Sequence, residues 1–503
     1  MSTIQISVRH AGKKYDLEVS LEDSGYVLKS QLYSLTGVAP ERQKILVKGG
    51  QLKDDVELGS VGLKAKQTLM MMGTAGELPK VPVEKPTFLE DLSDSQLAQA
   101  TKEPTGLTNL GNTCYMNSSL QCIRLIPELQ TALENFESPS AMAGTDLTAA
   151  LRDLFLRMKT QTSAYYPVMF LNALRAAFPQ FAEQSQDGRF KQQDAEEAYS
   201  QLLSVLNRSL PAAGGERKFV EQYMAGEFAT EMKCDETDAE PVVAGHEQFF
   251  KLDCHITIST NFMKDGIMAA MQEKIEKRSE VLGRDASFTL TKKVTRLPKY
   301  LTTHFVRFYW RRDIQKKSKI LRKVTFPFEL DATDLCAPEL RDQLVPVRDR
   351  IREYKKVEED RARAAKRARY NEAAGEPAAP AEPEPEAAPE PDLKQAIEGL
   401  IPESLRADAG ANRTGLYELI GVITHQGASA DAGHYQCFAK QLDGSHTAAP
   451  AGPPGAANKK EEPAWWRFND DKVTEVPQSR IETFAGGGEA DSALILLYRA
   501  VDF

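Results

Sequence analysis

Cys114, His434, Asn469 and Asp470 are the side chains whose types permit nucleophilic catalysis, and each stands in an informative context. Cys114 lies in TNLGNTCYMNSSLQ, residues 108–121, among small polar residues just before a helical, apolar run. Asn112 or Thr113 can cap that helix, Tyr115, Met116, Leu120 and Ile123 continue it, and Pro127 closes it. A thiol at a helix N-terminus meets unsatisfied N–H groups and the positive end of the dipole. Both favour thiolate, so the expectation is a lowered pKa. The other five cysteines are Cys122, Cys234, Cys254, Cys336 and Cys437. No two of the six form a C-x-x-C pair, so no structural zinc is expected. Burial as a reduced thiol is the ordinary fate of cysteine, and Cys122, in the same helix away from its terminus, reads as core.

A thiol nucleophile needs a base. Of seven histidines, His434 has the most suitable setting. It sits in QGASADAGHYQCFAK, where small residues run from Gln426 to Gly433 before a strand begins. Such a rim delivers a side chain to the edge of a cleft. His425, which ends the preceding strand, is the rival. A base also needs a partner to fix its tautomer, and WWRFNDDKV offers Asn469, Asp470 and Asp471 after an aromatic strand. The same residues read equally as a turn. In QQDAEEAYSQLL, Asp194 reads as an N-cap with Glu197 at N3, a capping box.

The elements around these residues change character along the chain. Residues 1–74 read β-β-α-β-β: alternating strands at 3–8 and 15–19, a helix capped by Ser20 and ended by Gly37 and Pro40, and strands at 44–47 and 68–72. Residues 75–103, with Pro79, Pro82 and Pro86, read as a linker. From Thr105 to about Tyr223 the pattern is helical, with Leu147, Leu151, Leu154 and Met158 on one face. Beyond Phe219 strands dominate. Two inserts interrupt them, near 351–392 and 443–463. The first begins as a solvated charged helix, with Glu and Asp diluting its basic field, and runs into an Ala/Pro/Glu stretch at 373–391 expected to be disordered. The net charge of −9 argues against a chain-wide nucleic-acid surface. The first residues, MSTIQISVRH, show no signal peptide, and no apolar run is long enough for a membrane span.

TNLGNTCYMNSSLQ, QQDAEEAYSQLL, GHYQCFAK and WWRFNDDKV, in this order and separation, resemble the boxes of the ubiquitin-specific proteases from about Gly106 to Tyr498. The resemblance implies a papain-like α+β fold over 104–500, with a helical thumb and β-rich palm and fingers. It implies a thiol-dependent deubiquitinase with Cys114 as nucleophile and His434 as base. Asn469 falls where the family orients the histidine; many members carry Asp there and some Asn, and Asp470 is placed to supply part of the missing charge. Asn109 falls at the oxyanion donor. Gln193, Asp194, Glu197 and Tyr435 fall where the family holds the basic tail of ubiquitin. The family often has two zinc-binding C-x-x-C pairs in its fingers; Cys234 and Cys254 stand singly here, so no metal and no cofactor is expected.

Residues 1–74 resemble ubiquitin itself, a β-grasp domain in which Leu46 and Met72 fall on the patch that ubiquitin receptors read. The alternative is that both are core. After Met72 comes Gly-Thr-Ala-Gly with no terminal Gly-Gly, so this domain is not a conjugatable modifier. A ubiquitin-like front on a zinc-free protease, with LPKYLTTHFVRFYW and KVTFPFELD, resembles the proteasome-associated branch of the family. It implies docking on the proteasome regulatory particle, polyubiquitinated substrates, loops after Trp310 and from Gly427 to Gly433 that restrict the cleft, a monomer when free, and a cytoplasmic and nuclear location. The rival readings are a catalytically silent ubiquitin receptor and a papain-like peptidase acting on ordinary peptides.

Overall fold

The computed structural model describes residues 3–74, 103–138, 146–161, 163–212, 217–311, 316–374, 390–429, 432–441, 464–488 and 490–502. The chain divides into two compact units, Met1–Asp91 and Leu92–Phe503. The expected linker lies outside the described residues except for residue 103, as does the insert at 443–463.

In the first unit, Thr3–His10 and Lys13–Ser20 pair across a turn in which Ala11 and Gly12 have φ of 47° and 79°. The sheet runs Lys13–Ser20, Thr3–His10, Thr68–Met72, Lys44–Val47, Gly50–Gln51. Helix Gly25–Thr36 contributes Leu28 and Leu32 to a core with Ile6, Val8, Ile45, Leu69 and Met71. Its cap position is Ser24, not the expected Ser20, because the chain first turns through Leu21–Asp23. Gly25 permits that entry: a Cβ there would lie 2.1 Å from Lys53 O. Strand alternation sends Ile45 and Met71 inward, so Leu46 and Met72 face outward, 44% and 49% exposed. The reading of these two as core is thereby set aside.

The second unit opens with helices Cys114–Ile123, Pro127–Glu134, Leu147–Thr160, Val168–Ala177 and Ala195–Ser209. Leu147, Leu151, Leu154 and Met158 are all buried, as their spacing predicts, and Asp146 caps their helix by accepting from Thr148 N and Ala149 N. One sheet joins Val243–Phe249, Gly226–Cys234, Asp285–Arg296 and Gln272–Arg278 in that order. The larger sheet runs Lys472–Pro477, Ala464–Asn469, Ala432–Lys440, Leu416–Ser429, Ser492–Ala500, Tyr300–Val306, Leu252–His255, with Glu329–Asp331 beside Leu416–Ser429. Helix Cys114–Ile123 is buried along its whole length, and its core extends through Ile420, Tyr435, Cys437 and Leu497 of this sheet.

The charged segment continues a helix that begins in the fold, Pro338–Ala374, about 55 Å long at 1.5 Å per residue. Val347 and Ile351 form a satellite core with Ile397, Ile401 and Leu416. The rim of the first expected insert is therefore anchored. Its Ala/Pro/Glu stretch lies outside the described residues apart from helix Glu390–Leu400 and the last turn of Pro338–Ala374. No described helix is long and apolar enough to cross a membrane.

Candidate active site

The loop before Cys114 is shaped by two successive left-handed residues, Gly111 at φ 97° and Asn112 at φ 56°. Glycine and asparagine are the residues that adopt this conformation at least cost. Asn112 Nδ2 donates to Phe190 O at 2.9 Å. Thr113 occupies the cap position, yet its hydroxyl does not cap the helix; it accepts from Leu110 N at 2.9 Å. Asn109 ties the loop from its other side: Oδ1 accepts from Gly111 N at 2.9 Å and from Thr113 N at 3.2 Å.

Cys114 is thus the first residue of its helix, but it is only 2% exposed. Burial pushes its thiol up to about 11, outweighing the Tyr435, Tyr115 and Cys114 main-chain groups that pull the other way, with the nearby Asp470 charge adding to the rise. Burial thus opposes the expected depression by the helix terminus, because removing a thiolate from water is costly.

The base enters on strand Ala432–Lys440. His434 Nε2 lies 2.6 Å from Asn469 Oδ1. An amide oxygen only accepts, so Nε2 carries the proton and Nδ1 is left as the basic nitrogen. Asn469 ends strand Ala464–Asn469, pairs with Lys472, and leads into a turn in which Asp470 takes φ 52°. Asp470 Oδ2 is 4.0 Å from His434 Nε2 but 3.0 Å from Asn109 Nδ2, from which it accepts a hydrogen bond. Its Oδ1 accepts from Asn117 Nδ2 at 2.8 Å, and its main-chain O from Leu107 N at 2.9 Å. Gly106 allows this close approach: a Cβ there would sit 2.6 Å from Asp471 O. The four residues from distant parts of the chain are brought together, and Asp470 serves the Asn109 loop before it serves the histidine.

Asp194 caps helix Ala195–Ser209, accepting from Glu196 N at 2.9 Å. The capping box does not form: Glu197 faces Gln180 Nε2 at 3.4 Å, while Glu196 pairs with Lys251 and Ser200. Gln193, Asp194 and Glu197 are half-buried, and Ser119 Oγ, donating to Ala195 O at 3.1 Å, holds their helix start against the Cys114 helix. Tyr435 is 1% exposed, its ring packed 4.6 Å from that of His425. Its side chain is therefore enclosed in the wall of the site. Its main chain is what faces the Cys114 sulfur. His425, the rival base, is fully buried with neither ring nitrogen hydrogen-bonded. Burial, with Lys319 and His434 nearby, pushes it down to about 3. Asn117 escaped sequence reasoning; its spacing of three from Cys114, which puts both on one helix face, is the signal that could have found it.

The model of the ubiquitin carboxyl-terminal hydrolase family matches residues 105–498, and that of the ubiquitin family matches residues 4–76. The chain belongs to the ubiquitin carboxyl-terminal hydrolase family. It is 48% identical to ubiquitin carboxyl-terminal hydrolase 6 of Schizosaccharomyces pombe, over 99% of each chain. It is 36% identical to ubiquitin carboxyl-terminal hydrolase 6 of Arabidopsis thaliana, over 98% of each, and 33% identical to ubiquitin carboxyl-terminal hydrolase 14 of Caenorhabditis elegans, over 98% of this chain and 93% of that one. This ubiquitin carboxyl-terminal hydrolase is a cysteine-type deubiquitinase with an N-terminal ubiquitin-like domain, and its substrates carry ubiquitin. Among its described residues no group of three or more His, Cys, Asp or Glu side chains is placed to hold a metal ion.

Proposed function

We propose that this deubiquitinase removes ubiquitin from conjugates held on the proteasome, acting as a monomer that docks on the regulatory particle through its ubiquitin-like domain, in cytoplasm and nucleus. The observation that carries the chemistry is the 2.6 Å contact of His434 Nε2 with Asn469 Oδ1, which leaves Nδ1 free of that bond and basic. Cys114 Sγ attacks the carbonyl carbon at the end of ubiquitin while His434 Nδ1 takes the thiol proton. The tetrahedral oxyanion accepts from Asn109 Nδ2. The intermediate collapses to a thioester as the proton passes from His434 to the departing lysine amine. Water, deprotonated by the same imidazole, then releases ubiquitin with a free carboxylate and restores the thiol. Because burial pushes the thiol up, proton transfer to His434 accompanies attack in this reading. Gln193, Asp194 and Glu197, beside the Cys114 helix, take the basic tail of ubiquitin, and exposed Leu46 and Met72 make the docking surface.

The test is hydrolysis of a C-terminal ubiquitin fluorophore with and without purified proteasome, with Cys114→Ala as the blank. Turnover that Cys114→Ala abolishes and proteasome increases supports the reading. Turnover retained by Cys114→Ala sinks the chemistry, and turnover indifferent to proteasome sinks the docking.

A further inference from the structure

Asn117 lies one helical turn beyond Cys114 and is 3% exposed. Its Nδ2 faces Asp470 Oδ1 at 2.8 Å and Leu107 O at 3.2 Å. Both neighbours are acceptors, so the amide's orientation is set by its surroundings. The Asp470 carboxylate therefore bridges two amides: Asn117, on the helix that carries the nucleophile, and Asn109, on the loop before it. Asn109 in turn has its oxygen fixed by Gly111 N and Thr113 N and one Nδ2 hydrogen fixed by Asp470. The second Nδ2 hydrogen is the one left to meet an oxyanion.

We propose that Asn117 is a positioning residue for the reaction: by holding Asp470 to the nucleophile helix it aims Asn109 at the oxyanion and keeps the Asp470 carboxylate off His434. The proposal rests on the reading of Asn109 as oxyanion donor. Without Asn117, a carboxylate only 10% exposed loses a charge-assisted hydrogen bond, with His434 Nε2 4.0 Å away. Two consequences follow. The donor loses its aim, which slows the chemical step without weakening substrate binding. The carboxylate also moves toward the imidazole and stabilises its charged form, which raises the pH at which the base becomes available. The other titratable groups near the pair are the His425 imidazole on the neighbouring strand, which stays neutral, and the Cys114 thiol beside Asp470.

Asn117→Leu removes the donor while keeping the branched shape of the side chain, and the full chain is assayed on the ubiquitin fluorophore under conditions in which the unaltered chain turns over. The expected result is a kcat lowered about tenfold to a hundredfold with KM within about twofold, less than the roughly hundredfold to thousandfold cost of losing an oxyanion donor outright, because Asn109 is misaimed rather than removed. The acid limb of kcat/KM moves to higher pH. In an Asp470→Asn background the same substitution changes kcat by less than about threefold, because partners in one network are not additive. A loss confined to KM, an unmoved acid limb, or full additivity with Asp470→Asn would overturn the proposal. If thermal unfolding shows that Asn117→Leu does not fold, Asn117→Ala, smaller and with no side-chain donor, carries the same three comparisons. Asn109→Ala separates the two levels. Unchanged kcat in that variant sinks the donor reading itself, whereas a slow Asn109→Ala beside a normal Asn117→Leu sinks the positioning role alone.

Discussion

Asp470 lies 3.0 Å from Asn109 Nδ2 and 4.0 Å from His434 Nε2, so its carboxylate is committed to the loop before the nucleophile rather than to the base. Asn469 Oδ1 lies nearer, 2.6 Å from the same nitrogen. The two neighbours in sequence thus have separate tasks, and substitutions should separate them.

Asn469→Ala should lower kcat by about a hundredfold and more than Asp470→Ala does, since a misoriented base loses most of the contribution of general-base catalysis. Asn469→Asp should keep turnover, because a carboxylate oxygen in that place still accepts from Nε2. Steady-state assays across pH check both. If Asp470→Ala proves the slower variant, the orienting role passes to Asp470.

The buried thiol carries its own pH signature. With Cys114 pushed up to about 11, its thiolate fraction rises tenfold per pH unit through the neutral and alkaline range. Alkylation by a small neutral reagent in the absence of substrate should follow that rise, read by peptide mass spectrometry at Cys114. A rate that levels off below pH 8 would show that the helix terminus wins over burial.

His425 should govern part of the acid stability. It stays neutral in the fold until about pH 3, whereas in the unfolded chain it protonates near 6.5. Between those values the unfolded state binds the extra proton, so stability falls as pH drops from about 6.5 toward 3 and is unaffected by this group above 6.5. Thermal unfolding scans should show the decline, and His425→Phe, which keeps a ring beside Tyr435 and Phe308 without a titrating group, should flatten it. An equally steep decline in His425→Phe would assign the effect to other groups.

Leu46→Asp combined with Met72→Asp should weaken co-sedimentation with purified proteasome by at least about tenfold, the cost of losing central apolar contacts from an interface. Both side chains are exposed, so the unfolding temperature of the ubiquitin-like domain should barely change. Undiminished co-sedimentation would move the docking surface elsewhere.

Much of this architecture is legible in the sequence because its signals are local. The two-residue alternation of Lys44–Val47 and Thr68–Met72 already separates Ile45 and Met71 from Leu46 and Met72, although which pair faces the core needs the sheet. The spacing of Leu147, Leu151, Leu154 and Met158 specifies one buried face. The order of the four boxes points to the family, and with it to Cys114, His434, Asn469 and Asn109.

Tertiary structure alone decided how these residues divide the work. Helix position predicts a depressed thiol, but burial against a strand more than three hundred residues away raises it. Asp470 and Asn117 are 353 residues apart, so no spacing rule couples them, and only the packing of the Cys114 helix on the sheet brings carboxylate and amide to 2.8 Å. His425 and His434 look like rivals in sequence. The sheet encloses one ring and leaves the other 32% exposed beside Asn469. Local pattern determines which residues can do chemistry; desolvation and distance between remote segments determine which of them do.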